Sequence, residues 1–164
     1  MAKGLRIRPA TAADAATLAL LIDELNANQG EAVGQVTAEA VRRDGFGAVP
    51  EFAALLAELD GAPLGYALYN PTWSTEDGAR GLYLYDLYVR DAARGRGVGR
   101  ALMVALAHLA HADGRSFLWW NSKDWNRPAQ DFYRKLGAAE ETVRAHVLAG
   151  ESLATLLAEP DPRA

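Results

Sequence analysis

Leu82-Tyr83-Leu84-Tyr85-Asp86-Leu87-Tyr88-Val89 leads, four residues later, into Arg94-Gly95-Arg96-Gly97-Val98-Gly99-Arg100, and that junction decides the fold. The first run is nearly continuous apolar and aromatic, as expected of a strand covered on both faces. The second places glycine at alternate positions, which permits a sharp bend and lets a ligand approach the main chain. Behind it Val98, Leu102, Leu106 and Leu109 recur at helical spacing, and Gly114 stands where a C-terminal cap belongs. The spacing predicts strand, turn and helix between Leu82 and Ala112.

Such a junction aims unpaired backbone N–H groups and the positive end of a helix dipole at one point, where phosphate binds. Arg94, Arg96 and Arg100 add mobile positive charge around it. A plain tight turn is the competing reading, but it needs neither three glycines nor three arginines. The dinucleotide fingerprint G-x-G-x-x-G fails at Arg100, where its third glycine belongs, and the Gly-Lys-Ser/Thr ending of a nucleoside-triphosphate loop is absent.

Composition sets outer limits. The 164 residues suit a single domain, 1–164, with one core. No apolar run approaches membrane-span length, and no secretory leader is visible. The lack of cysteine removes disulfides and thiol nucleophiles, and it fits a cytoplasmic protein. A net charge of −4 argues against a nucleic-acid partner. His108 and His111 share a helix face, but without acidic or thiol partners they read as solvated; no metal is expected.

In chain order, Leu5–Arg8 reads as a strand ended by Pro9. Thr11-x-x-Asp14 is a helix start, followed by Ala15, Leu18, Leu21, Ile22 and Leu25 on one face and a break at Asn26–Gly30. Thr37–Arg43 suits a short helix stopped at Asp44-Gly45. Phe52–Glu58 has helix-favouring composition, yet Asp60-Gly61 and a second strand-like run, Pro63–Tyr69, make the pair a hairpin. Asn70–Arg80 reads as a polar loop, Ser116–Trp120 as a buried strand, and Asn126-Arg127-Pro128 as a capped helix start running to Gly137. Thr142–Leu148 reads as a late strand, and Glu151–Ala158 as a short helix or tail. Glu24, Glu31 and Glu39 read as solvated, Phe132 as a core ring, and Trp73 and Trp125 as packing residues. The pattern predicts an α/β (α+β) fold, a mixed sheet with helices on both faces.

Two motifs carry a resemblance. Arg94-x-x-Gly97-x-Gly99 after a strand ending in valine resembles the acetyl-CoA signature of the GNAT N-acetyltransferase superfamily. Asn126-x-x-Ala129-x-x-Phe132-Tyr133-x-x-x-Gly137 resembles the helix that its members carry beside the pantetheine arm. Met1-Ala2-Lys3, Ile7 to Asp14, Asp44-Gly45-Phe46-Gly47, Leu82-Tyr83-Leu84 with Asp86, and Asp124 to Pro128 look like the diamine (spermidine/spermine, thialysine) acetyltransferases. The likeness runs to about Gly137. It implies the GNAT fold, with a sheet of about six or seven strands, acetyl-CoA as co-substrate, a small-molecule amine as acceptor, and a homodimer.

Carried across, the resemblance gives Leu87, Tyr88 and Val89 main-chain contacts to pantetheine, and Arg94, Gly95, Arg96, Gly97, Val98, Gly99 and Arg100 the pyrophosphate. Trp119, Trp120 and Asn121 would touch the coenzyme arm, and Asn126, Arg127, Pro128 and Ala129 would complete the groove. Tyr133 would be the acid that protonates the departing thiolate; a phenol of pKa about 10 stays protonated at neutral pH yet can hand its proton to sulfur. Asn28, Gln29, Tyr85 and Asp86 would meet the acceptor amine. Asp86 is the candidate proton acceptor, and equally a structural carboxylate or a substrate anchor. A backbone N–H freed by a bulge or splay at Leu87 to Val89 would stabilise the oxyanion.

Departures from the diamine pattern concern the acceptor. Tyr85 and Gln29 stand where those enzymes have glutamate, and Val143 is nearest to a late-strand tryptophan. A charge-assisted contact contributes about 1.5–3 kcal/mol, so the loss of two carboxylates weakens a polyamine site. Direct acetyl transfer to a primary amine is the leading expectation. Acetylation of a protein lysine or N-terminus, and a non-catalytic acyl-CoA-binding regulator, are the alternatives.

Overall fold

The computed structural model describes residues 4–163, so Met1-Ala2-Lys3, quoted above for the resemblance, lie outside the described residues. The chain divides into two compact units, Met1–Trp125 and Asn126–Ala164.

The first unit holds a five-stranded sheet in the order β1-β2-β3-β4-β5: β1 (Leu5–Pro9), β2 (Ala53–Leu59), β3 (Ala62–Ser74), β4 (Ala79–Val89) and β5 (Phe117–Trp120). β1 to β4 form an antiparallel meander. β5 joins β4 in parallel after the crossover helix α3 (Val98–Ala112). Antiparallel neighbours need only short turns, whereas a parallel pair needs a helix-length return. The junction at Val89–Val98 is the start of that return.

Two helices precede β2: α1 (Ala15–Gln29) and α2 (Ala38–Phe46). They pack on one face, where Leu18, Leu21, Ile22 and Val41 meet Ala54, Leu56, Tyr66, Leu68 and Tyr88. α3 contacts β1 to β5 and buries Val98, Leu102, Met103 and Leu106. Ala54 to Ala57 are all buried. Burial on both faces is why an alanine- and leucine-rich segment is a strand here: tertiary covering overrides helix propensity.

Several expectations need correction. Among the described residues the sheet has five strands rather than six or seven, because Thr142–Leu148 forms no strand. The predicted loop Asn70–Arg80 is mostly sheet: β3 and β4 stay paired out to Ser74 and Ala79. Cross-strand pairing tolerates polar residues where a face meets water. α1 runs through the Asn26–Gly30 break and is capped by left-handed Gly30 (φ 72°). α2 continues past Asp44-Gly45 to Phe46. Trp73 and Trp125, read as packing residues, are 59% and 57% exposed.

The second unit contains α4 (Arg127–Leu136) and α5 (Glu151–Leu157). The Asn126 side chain accepts the Ala129 N–H (3.3 Å), Pro128 lies in the first turn, and Gly137 ends α4 at φ 88°. Phe132, expected as a core ring, is only partly buried; its centroid lies 5.3 Å from that of Tyr133. Arg134 pairs with Asp131 (2.7 Å) and Glu140 (3.1 Å).

Candidate active site

The carboxyl end of β4 is tied down before the turn begins. Arg90 N–H donates to Leu64 O (2.9 Å), and its guanidinium donates to Pro63 O (2.8 Å) and to both oxygens of Glu24 (2.9 and 2.7 Å). Glu24, read from sequence as solvated, is therefore a structural partner, and the Arg90 guanidinium holds its carboxyl below the ordinary range. Glu24 also accepts from the Tyr88 hydroxyl (3.3 Å), which in turn accepts from Asn28 Nδ2 (3.3 Å). Burial pushes the Tyr88 phenol up, and the Glu24 charge adds to it. This chain of contacts locks the C-terminal half of α1 to β4.

The turn follows. Ala93 is buried and pins its base, while Gly95 (φ 74°) and Gly97 (φ 83°) take the left-handed conformation. A Cβ on either would meet nothing within 4 Å, so the backbone angle, not crowding, calls for glycine. Gly97 O accepts from Ala101 N–H (2.9 Å), which leaves the N–H groups of Val98, Gly99 and Arg100 without an upstream helical acceptor. Arg96 and Arg100 are exposed and enter no ion pair among the described residues. Arg94, expected to be mobile, is not: it donates to Val89 O (2.9 Å), pairs with Asp91 (2.8 Å), and lies 6.0 Å over the Tyr88 ring.

β4 and β5 part company at this end. Their pairing stops at Leu84↔Trp120, while β4 continues to Val89. In an antiparallel ladder, bonded and non-bonded pairs alternate. Arg90 bonds Leu64, so Tyr88↔Tyr66 and Asp86↔Leu68 are the next bonded pairs. The N–H groups of Leu87 and Val89 then point away from β3, to the side that β5 has left. Where a bulge or splay is expected, β4 runs on from Leu84 to Val89 without β5 paired to it. The bulge, expected at Leu87 to Val89, lies earlier: Leu68 faces Asp86 and Tyr69 faces Leu84, which makes Tyr85 the extra residue.

That bulge has a consequence for side chains. Tyr66, Leu68 and Asn70 alternate onto one face of β3. The Tyr66 hydroxyl donates to Asp86 Oδ2 (3.0 Å), and Asn70 Nδ2 donates to the Tyr85 hydroxyl (2.8 Å). Sequence neighbours Tyr85 and Asp86 thus share a face, which a regular strand forbids. Tyr83 lies there too, its ring 5.0 Å from Tyr85 and 5.2 Å from Trp119, and its hydroxyl accepts from Asn121 Nδ2 (3.2 Å). Burial raises the Asp86 carboxyl, and the Tyr66 hydrogen bond opposes that rise. Tyr66 itself is fully buried, and burial with the nearby carboxylate pushes its phenol far up.

On this face, therefore, the first unit brings together Asn28, Tyr85, Asp86 and Trp119. Gln29 lies at the end of α1 with no side-chain partner among the described residues. Tyr66, Asn70, Glu24 and Arg90 escaped the sequence reading. The alternation of Tyr66, Leu68 and Asn70 was visible, but their partners lie 15 to 20 residues away in sequence across a bulge that no local pattern announces.

A family model described as the acetyltransferase (GNAT) family matches residues 18–138. The thialysine N-epsilon-acetyltransferase of Bos taurus is 38% identical over 146 residues, 83% of this chain and 85% of that protein. Spermidine/spermine N(1)-acetyltransferase-like protein 1 of Homo sapiens is 32% identical over 144 residues, 82% of this chain and 20% of that longer protein. Among solved structures, an integron cassette protein from the V. cholerae mobile metagenome superposes with a TM-score of 0.83 at 24% identity, covering 96% of this chain and 99% of its own. A β4–β5 pairing that stops short of the end of β4, a glycine turn opening α3 and these matches lead to one conclusion: the chain belongs to the GNAT family of acetyltransferases.

Proposed function

We propose that this protein transfers the acetyl group of acetyl-CoA to the primary amine of a small molecule by direct attack. The observation that carries the reading is the end of β4–β5 pairing at Leu84↔Trp120 while β4 runs on to Val89, followed by a helix N-terminus with unengaged N–H groups and two uncommitted arginines. Main-chain groups of Leu87 to Val89 take the pantetheine, with the N–H groups of Leu87 and Val89 turned to it and one of them available to the developing oxyanion. The turn Gly95–Arg100 takes the diphosphate. Trp120, Asn121 and the α4 start, Asn126 to Ala129, are read as further coenzyme contacts, on the motif alone.

Asp86 receives the acceptor's ammonium group and, through water, the proton it sheds. Its Oδ2 is engaged by Tyr66, while Oδ1 has no partner among the described residues. Asn28, Gln29 and Tyr85 flank the acceptor. Tyr133 protonates the departing thiolate; this role rests on its place in the α4 motif. Relatives named for thialysine and spermidine/spermine support an amine on a small molecule as acceptor. The same resemblance supports one catalytic domain spanning the chain, a homodimer, and a cytoplasmic setting.

Thiol release from acetyl-CoA, measured across diamines, amino acids, aminoglycosides, arylalkylamines and peptides, tests the reading. Turnover with a free amine is the expected result. Tyr133→Phe should lower kcat about 100-fold with acetyl-CoA affinity within a few-fold. Unchanged kcat removes Tyr133 from the acid role. Acetyl-CoA binding without thiol release from any amine makes the protein an acyl-CoA-binding regulator instead.

A further inference from the structure

Next to Asp86 the sheet presents rings, not charges. Tyr83 touches Tyr85 edge-on (5.0 Å, 86°) and Trp119 at a tilt (5.2 Å, 55°). Tyr85 and Trp119 are 48% and 49% exposed. The two phenol oxygens are held by amides, Asn70 on β3 for Tyr85 and Asn121 just beyond β5 for Tyr83. The rings are fixed before any ligand arrives, so little rotamer entropy remains to be lost on binding.

The carboxylates around them are mostly committed. Glu24 is bound to Arg90, Asp23 accepts from Gly34 N–H (3.0 Å), and Glu31 pairs with Lys123 (3.2 Å). Both oxygens of Glu24 are taken by Arg90, Asp23 and Glu31 are each engaged at one oxygen, and of the carboxylates on β4 only Asp86, through Oδ1, is left to meet a cation on this face. The second ammonium of a diamine would gain only a cation–π contact at these half-exposed rings, about 0.5–1 kcal/mol. An aromatic ring would instead gain edge and offset contacts with fixed partners.

We infer that this face selects an acceptor with a single cationic amine and a flat aromatic body, the amine at Asp86 and the ring against Tyr85, Tyr83 and Trp119. This rests on the acetyltransferase reading above and moves Trp119 from the coenzyme arm to the acceptor. In the transfer, the ammonium first gives one proton to Asp86 through water; the nitrogen–acyl carbon bond then forms as the carbon–sulfur bond breaks, with a second proton leaving nitrogen and one reaching sulfur. The aromatic body takes no part in the bonds and sets selectivity alone.

The test compares kcat/KM for 2-phenylethylamine, butylamine and putrescine in the wild type, Tyr85→Leu and Trp119→Leu. Both residues are half-exposed, and unchanged melting temperatures verify folding. The wild type should favour the aryl amine over butylamine by roughly tenfold or more, and over putrescine by more. Each variant should shrink the aryl-to-butyl ratio several-fold. Putrescine used as well as the aryl amine, or variants that lower all three amines equally, overturns the inference. Equilibrium binding of 2-phenylethylamine is measured alongside. If no amine is acetylated, the enzymatic reading fails by itself; saturable binding that the two variants abolish still supports the aromatic site, and absence of binding ends it.

Discussion

The glycine turn and the acceptor face sit at the same end of β4, yet they are built by opposite means. The turn offers main chain: N–H groups of Val98 to Arg100 and two left-handed glycines, all within one short stretch. The acceptor face offers side chains drawn from α1, β3, β4 and β5, joined by the hydroxyls of Tyr66, Tyr83, Tyr85 and Tyr88. Main-chain recognition is indifferent to most side chains, so a turn of this kind suits a coenzyme common to many enzymes. Side-chain recognition is easily rewritten, so on the proposed reading the side-chain face would set acceptor choice. If the comparison holds, substitutions in the two regions must separate in which substrate they affect.

The largest separation is expected at Asp86. Asp86→Asn keeps the shape and still accepts from Tyr66, but removes the charge. Amine kcat/KM should fall about 100-fold, with acetyl-CoA affinity unchanged within twofold. An equal loss for both substrates would merge the two regions into one. Gly97→Val makes the reciprocal test. A Cβ there meets no atom within 4 Å, so the cost comes first from the φ of 83°. Holding a β-branched residue there costs about 1–3 kcal/mol, and acetyl-CoA affinity should weaken roughly tenfold or more while the amine's KM changes little.

The same contrast explains what could be read in advance. The turn was legible because its glycines and the helical spacing of Val98, Leu102 and Leu106 are local signals, as is the Asn126 cap of α4. The hairpin at Asp60-Gly61 was legible for the same reason. The acceptor face was not. Tyr66 and Asp86 become neighbours only through strand register, and the bulge at Tyr85 shifts that register by one. Glu24 looked solvated because Arg90 is 66 residues away. Thr142–Leu148 has strand composition, but an alternating pattern says nothing about whether a neighbouring edge is present to pair with it.

A smaller effect sharpens the account of Asp86. Burial raises its carboxyl, and the Tyr66 hydroxyl counters this by bonding the charged form. Tyr66→Phe removes the counterweight, so the carboxyl should titrate higher still. Activity that needs the carboxylate is then lost earlier as pH falls. The acid limb of kcat/KM should move to higher pH by roughly one unit, a loss of about tenfold on that limb and almost none at the alkaline plateau. Two amines of different basicity identify the limb, because the one belonging to Asp86 does not move with the amine. A uniform loss at every pH would reduce Tyr66 to a packing residue.

The finest test lies within the turn, between arginines two residues apart. Arg96 is exposed and uncommitted, whereas Arg94 is held by Val89 O, Asp91 and the Tyr88 ring. A mobile surface charge near a diphosphate contributes less than about 1 kcal/mol, so Arg96→Ala should weaken acetyl-CoA about threefold at low salt. At 1 M salt the screening length is about 3 Å, and the difference should vanish. Arg94→Ala removes the tie between the turn and the end of β4, so its penalty should persist in high salt and be accompanied by a lower melting temperature. If Arg94→Ala instead showed the salt dependence expected of Arg96, then the first residue of the motif would be a phosphate ligand rather than the buttress on which the turn is folded.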